Sequence, residues 1–301
     1  MFAPAPNNSE FALFAKGSPS GGNVSGAKMP NRRTVLEALK ATGAVIYRGY
    51  FEALEEFITF SDVFTGTYVP YVGGANNGRA TVGGSNSVYT VTEPSMKMPI
   101  PLHGEMCYSD LRPELIWFYC ISPATSKGET TLCDGREILA HLSPDTRRDF
   151  EERDVIYRRN FSPSVWQSVY QTDKVADVEA FCRKNHLDLV VHADGAISTT
   201  YRASSIIRSP DGDAFVNSIL TFAAQEYLGG SKESQVRWSN NEEIDRATLM
   251  EVKTVSDHLT TAHAWQPGDA IMVDNTRVMH GRRSFNDDQR NIVVRLGMRA
   301  A

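Results

Sequence analysis

Three histidine–x–carboxylate triplets occur in the chain: His103-Gly104-Glu105, His186-Leu187-Asp188 and His192-Ala193-Asp194. An imidazole nitrogen and a carboxylate oxygen two residues apart can hold one transition-metal ion between them, provided that both side chains point the same way. With seven histidines and 36 acids in 301 residues, about one such triplet arises by chance, so the surroundings must choose among them. His186 follows a predicted helix, where an imidazolium meets the negative end of the dipole, and Asp188 opens a strand. Asp194 and Gly195 form the turn pair of a predicted hairpin. His103 has no such structural employment. It sits in "KMPIPLHGEMCYSD", where strand alternation places positions 103 and 105 on one side and Gly104 leaves room for close approach.

Histidine and carboxylate make two thirds of a facial metal triad, and the third ligand should be a distant histidine on another strand. His258 and His263 fall on a helix predicted around Glu242–Ala262, five apart and so off a common face, and His141 falls on another helix. His280 closes a strand in "DNTRVMHGRRSF". Two histidines and one carboxylate leave vacant positions, an arrangement suited to Fe(II) chemistry in which a chelating co-substrate and O2 bind together. A co-substrate with a distal carboxylate needs an arginine fork and a nearby hydroxyl. "DDQRNIVVRLGM" supplies Arg290 and Arg295 on the final strand. Arg290 could instead pair with Asp287 or Asp288, as surface charges often do. Trp166, Trp238 and Tyr89 suit an aromatic core better than a pocket lining. The same three ligands could also hold zinc in a hydrolase with an open position, and a non-catalytic jelly-roll binding module would keep the fold and ignore the metal.

The elements that must position these residues are mostly strands. "AVIYRGY", "SVYTV", "ELIWFYCI", "DVIYRRNF", "DAIMVDN", "RVMHG" and "NIVVRLGM" carry apolar alternation or short apolar runs. Helical spacing appears in "TVLEALKATG", "FEALEEFITFSDVF", "DGREILAHLSPDTRRDFEER", read as two helices, and "DKVADVEAFCRKN", with further helices expected over Ala214–Tyr227 and Glu242–Ala262. No repeat and no βαβ alternation is visible. The pattern predicts a mainly β fold with inserted helices, antiparallel, as a sandwich or barrel. Residues 1–30 read as a flexible N-terminal arm and 31–301 as a single domain.

Composition closes off other classes. The formal net charge is -5 and no dense basic run occurs, which excludes a phosphate-tracking nucleic-acid binder. No apolar run approaches the roughly 20 residues needed to cross a bilayer. Four scattered cysteines make no disulfide framework or C-x-x-C pair and suggest free thiols in a cytosolic protein.

The residues together resemble the taurine dioxygenase-like (TauD/TfdA) Fe(II)/2-oxoglutarate-dependent oxygenases, and among them the clavaminate synthase-like members that use H-x-E. The likeness is carried by "PLHGEM", "GETTL", the run from "WQPGDAIMVDN" to "HGRRSF", and the arginine of the last strand. It implies a double-stranded β-helix, or jelly roll, with Fe(II), 2-oxoglutarate as co-substrate, and O2. His103, Glu105 and His280 would be the iron ligands. Thr130, at the family's spacing of 27 residues after His103, would be the co-substrate hydroxyl, and Arg290 the co-substrate anchor. Arg295 is the alternative anchor or a substrate contact. The implied reaction is hydroxylation, desaturation or cyclisation at an unactivated C–H of a small amino-acid-like substrate of specialised metabolism, with a taurine-type sulfonate as the alternative. Halogenation is disfavoured because Glu105 fills the position that chloride would take. A small-molecule substrate is expected, with no nucleic-acid or membrane partner; a homo-oligomer is compatible with the sequence.

Overall fold

The strand expected from "ELIWFYCI" forms Leu115–Ser122, and its alternation divides the core. Ile116, Phe118 and Cys120 join one apolar cluster. Leu115, Trp117 and Tyr119 join another, beneath Val35 and Leu39 of the helix Arg32–Thr42 and Phe57 of the helix Leu54–Asp62. The strand pairs antiparallel with Ala270–Asp274 on one side and Asn291–Arg299 on the other. The sheet continues to Ala44–Arg48 and Thr65–Tyr68. A second sheet carries the strands Thr261–His263, Thr130–Asp134, Val278–Arg282 and Ile100–His103, in that order. The two sheets form a jelly roll, and Phe118 of the first meets His280 of the second with ring centroids 5.3 Å apart. The computed structural model describes residues 11–15, 29–74, 79–91, 96–229 and 233–301.

Between Thr130–Asp134 and Thr261–His263 the chain inserts helices and a four-stranded sheet ordered Ser234–Trp238, Val155–Phe161, Ile197–Ala203, Asp188–Val191. The last two strands are the expected hairpin, with Gly195 at φ +82°, a conformation that glycine adopts without strain. The two helices expected from "DGREILAHLSPDTRRDFEER" form as Gly135–His141 and Pro144–Glu152, the second capped by Ser143. Trp166, Trp238 and Tyr89 are buried.

Four expectations need correction. Residues 11–15 of the supposed arm are ordered: Ala12–Ala15 pairs in parallel with Ala44–Arg48, and Phe11 and Phe14 are buried. Residues 1–10 and 16–28 of that arm lie outside the described residues. Ala214–Phe215 is a strand paired with Ile206–Ile207, and the helix starts only at Ile219, whose backbone N–H donates to the Asn217 side chain. The helix expected over Glu242–Ala262 runs only over Arg246–Leu259, because Asp245 caps its start and β-branched Thr260 and Thr261 favour extension. His263 therefore lies on a strand. A helix that sequence reasoning missed spans Pro163–Tyr170, with proline in its first turn. The four cysteines are buried and unpaired. Among the described residues, no helix is long and apolar enough to cross a membrane.

Candidate active site

Strand register brings the first two ligands together. His103 is the last residue of Ile100–His103, and His280 lies opposite it in Val278–Arg282, with ring centroids 4.3 Å apart. His103 Nδ1 lies 2.9 Å from the Pro101 carbonyl. Donation there leaves Nε2 as the nitrogen with a free lone pair.

Glu105 arrives differently from the expectation. The strand stops at His103, and Glu105 lies in the turn that follows, where Met106 takes φ +55°. The turn is pinned on both sides. Gly104 N–H donates to the Asn217 carbonyl (2.8 Å) and its carbonyl accepts from Ser218 Oγ (3.0 Å). A Cβ on Gly104 would stand 2.5 Å from Cys107 Sγ and 2.6 Å from Val216 Cγ1, so no other residue passes there. The Glu105 backbone N–H donates to Asn275 Oδ1 (2.8 Å), and Asn275 Nδ2 donates to the carbonyls of Glu105 (3.0 Å) and Pro113 (2.7 Å).

The donor atoms of His103, Glu105 and His280 all lie within 4.8 Å of one another, and Glu105 Oε2 is 3.6 Å from His280 Nε2. Two imidazoles and one carboxylate, with no sulfur, suit a first-row ion such as Fe(II). His280 Nδ1 is buried without a hydrogen-bond partner. Burial, aided by the neighbouring His280, pushes His103 down to about 4, so its imidazole is neutral and able to ligate. Burial alone would raise Glu105, but the Arg79 charge and the His280 contact outweigh it and hold the carboxyl well below its usual range. A neutral His103 and an ionised Glu105 are what a divalent ion requires of these two ligands.

Thr130 opens its strand opposite Arg282 and His263. Its Oγ1 accepts from Trp265 Nε1 at 3.0 Å. Trp265 packs edge-on against His263 (4.8 Å between ring centroids), and His263 Nε2 lies 3.0 Å from Asp269 Oδ2, which also pairs with Arg48. Arg290 Nε donates to the carbonyl of Gly128 (2.9 Å), two residues before Thr130. Burial and the charge of Arg282 push Arg290 down to about 10, and burial does the same to Arg282. Arg282 donates to the carbonyls of Met96 and Met98 (both 2.6 Å), and its charge disfavours that of Arg290, an arrangement that an added carboxylate would relieve. Asp287 is engaged by Thr125 and Asp288 by Lys97.

Arg295 points the other way. Val294 and Leu296 belong to the interior cluster, whereas Arg295 donates to the Ile58 carbonyl (2.9 Å), Ser61 Oγ and Ser87 Oγ (2.9 Å). It also pairs with Asp62 at 2.9 Å and lies 4.0 Å over the Tyr68 ring. It ties the helix Leu54–Asp62 to the outer face of the sheet, and the reading of Arg295 as a second anchor or substrate contact is withdrawn. The other two triplets stay at the surface, with exposed His186 against Asp110 and exposed His192 against Ser198.

Sequence reasoning missed Asn275, Trp265, Arg282 and Arg79. Arg79 NH2 lies 3.3 and 3.2 Å from the two Glu105 oxygens, and its guanidinium lies 4.0 Å over the Tyr71 ring. Its one signal is that it is the sole charge in "GGANNGRATVGGSNS".

The profile described as "Taurine catabolism dioxygenase TauD, TfdA family" matches residues 16–296. The dapdiamide synthesis protein DdaC of Enterobacter agglomerans is 25% identical over 271 residues, covering 84% of this chain and 82% of its own. A clavaminate synthase-like protein of Arabidopsis thaliana is 24% identical over 274 residues, covering 84% and 81%. An asparagine oxygenase solved with Fe(II), 2S,3S-3-hydroxyasparagine and succinate shares the fold at a TM-score of 0.52 and 16% identity, over 88% of this chain and 78% of that one.

Proposed function

The chain belongs to the TauD, TfdA dioxygenase family, and from that premise we propose that it is an Fe(II)- and 2-oxoglutarate-dependent oxygenase oxidising an unactivated C–H bond of a small amino-acid-like substrate. The observation that carries the reading is the convergence of His103, Glu105 and His280 on one buried point, the carboxylate ionised and His103 neutral. DdaC is by name a biosynthetic protein and the asparagine oxygenase holds a hydroxylated amino acid, which supports an amino-acid-like substrate. Family membership sets aside the zinc hydrolase and the silent binding module.

We assign His103, Glu105 and His280 to the metal, and Thr130 with Arg290 to the distal carboxylate of 2-oxoglutarate. When bound, the ferrous ion and its keto acid supply O2 activation, with 2-oxoglutarate oxidised to succinate and CO2. The chain's own part is positioning. Pro101 fixes the His103 ring, Asn275 fixes the Glu105 backbone, and Trp265 fixes the Thr130 hydroxyl. The apolar walls, Phe118 and Leu132 among them, keep water from the reacting bond. The domain over 31–301 acts as one unit in this reading.

Anaerobic addition of Fe(II) and 2-oxoglutarate should develop the weak visible charge-transfer band of a chelate, and H280A should abolish it. With substrate present, O2-dependent succinate formation should follow. Absence of the band in the wild-type protein at saturating metal and 2-oxoglutarate would sink the proposal.

A further inference from the structure

One buried cation of this chamber is used neither for the metal nor for the co-substrate. Arg79 is only 9% exposed. Its NH2 group sits on Glu105 and its face on Tyr71, while Nε and NH1 are buried and make no hydrogen bond. Donors left unpaired in a dry interior are costly and uncommon, and here two of them belong to one guanidinium aimed at the reacting centre.

We propose that Arg79 is the specificity-determining residue that binds an acidic group of the substrate, a carboxylate or a sulfonate, through NH1 while NH2 remains on Glu105. This rests on the oxygenase reading and deepens it. An arginine presents its donors in a planar fork that matches an oxyanion. Because the same guanidinium touches a metal ligand, the acid group lies beside the metal, and the C–H bond attacked is only a few bonds from it. The substrate class is therefore a compact free amino acid or amino sulfonate, and not one whose acid group is masked as an amide or ester.

The test uses full-length protein loaded with Mn(II) and N-oxalylglycine, an unreactive 2-oxoglutarate analogue, as wild type, R79Q and R79K. Binding of Mn(II) and N-oxalylglycine is measured first; its absence in the wild type would sink the oxygenase reading itself, before any substrate is added. The probes are the twenty proteinogenic L-amino acids, taurine, and the α-carboxamide of each amino acid that binds, titrated calorimetrically. The expected result is that at least one acid binds the loaded wild type and that its amide binds about 30- to 100-fold more weakly, the worth of a charge-assisted hydrogen bond. R79Q should bind acid and amide alike while still binding Mn(II) and N-oxalylglycine. R79K keeps the charge without the fork, so it should lose most of the discrimination, and it serves alone if R79Q does not fold. Taurine binding in place of the amino acids identifies a sulfonate. The proposal is overturned if no acid binds the loaded wild type, if acid and amide bind it equally, or if the variants discriminate as well as the wild type. It is likewise overturned if R79Q loses metal affinity instead, which would make Arg79 merely a prop for Glu105.

Discussion

Replacing Asn275 by Ala probes how the carboxylate ligand is held. Asn275 is fully buried, and its side chain is bound to three backbone groups: the N–H and the carbonyl of Glu105 and the carbonyl of Pro113. Alanine leaves all three without their partner. Each costs roughly 1–3 kcal/mol when buried and unsatisfied. Water entering the vacated space would recover part, so the loss should be about 3–6 kcal/mol, a large share of the ~5–15 kcal/mol that stabilises a typical domain. The same change frees the Glu105 turn, and loss of a group that orients a ligand typically weakens metal binding by about 10- to 100-fold. Urea unfolding of the metal-free protein reads the first effect, and Mn(II) titration under folding conditions reads the second. N275D is the companion: it can still accept from the Glu105 N–H but loses the donor, and it sets a new carboxylate against two carbonyls, so it should be at least as damaging as alanine. A stability loss under about 1 kcal/mol together with a metal Kd within threefold of wild type would refute the claim that this side chain builds the ligand turn.

The two arginines of the last segment should separate cleanly: R290Q should raise the KM for 2-oxoglutarate by about 10- to 100-fold with little change in stability, whereas R295Q should lower the unfolding midpoint and leave 2-oxoglutarate binding as it was. Exchanged phenotypes would reverse the two assignments. G104A forces a Cβ to within 2.6 Å of Val216 and closer to Cys107, so metal affinity and stability should fall together; a folded variant with normal Mn(II) affinity would show that the turn can yield. Asp269 tests pH dependence. Burial opposes its ionisation, but hydrogen bonds from His263 and Arg48 outweigh this and hold its carboxyl below the ordinary aspartate value. A depressed carboxyl contributes stability above the unfolded pKa of about 3.9 that is lost as pH falls through the folded value. D269N should therefore be less stable at pH 7 and show a shallower acid loss below about pH 4, and urea midpoints that run parallel to wild type across that range would contradict it.

Local pattern reached the ligands because their placement depends on local rules. The alternation in "RVMHG" and "NIVVRLGM" survives as Val278–Arg282 and Asn291–Arg299, and histidines on two paired strands need only antiparallel register to meet. Arg290, expected on the final strand, precedes Asn291–Arg299, and a register shift at Asn291/Ile292 separates it from Arg295, so strand alternation alone could not say which way each arginine faces. What could not be read is whatever depends on contacts across the chain. Glu105 leaves its strand because Asn275, 170 residues away, offers its backbone a better partner than another strand does. His263 leaves its predicted helix because Thr261–His263 completes the small sheet against Thr130–Asp134, and helical spacing in "VKTVSDHLTTAH" carries no trace of that edge. Arg79 stands in a segment whose glycines and asparagines signal only a loop.

The same strand also explains why the two halves of the site lie a fixed distance apart. His280 and Arg282 sit on one face of Val278–Arg282, and Arg282 is opposite Thr130. Two residues along a strand span roughly 6.6 Å, comparable to the reach of a five-carbon diacid held at one end by a metal and at the other by an arginine and a hydroxyl. The spacing belongs to the backbone and not to flexible side chains, so it costs little entropy to keep. Inserting one residue between His280 and Arg282 would slip Thr130, and the Gly128 carbonyl that holds Arg290, out of register with His280, and binding of 2-oxoglutarate should then fail even in a protein that still binds Mn(II).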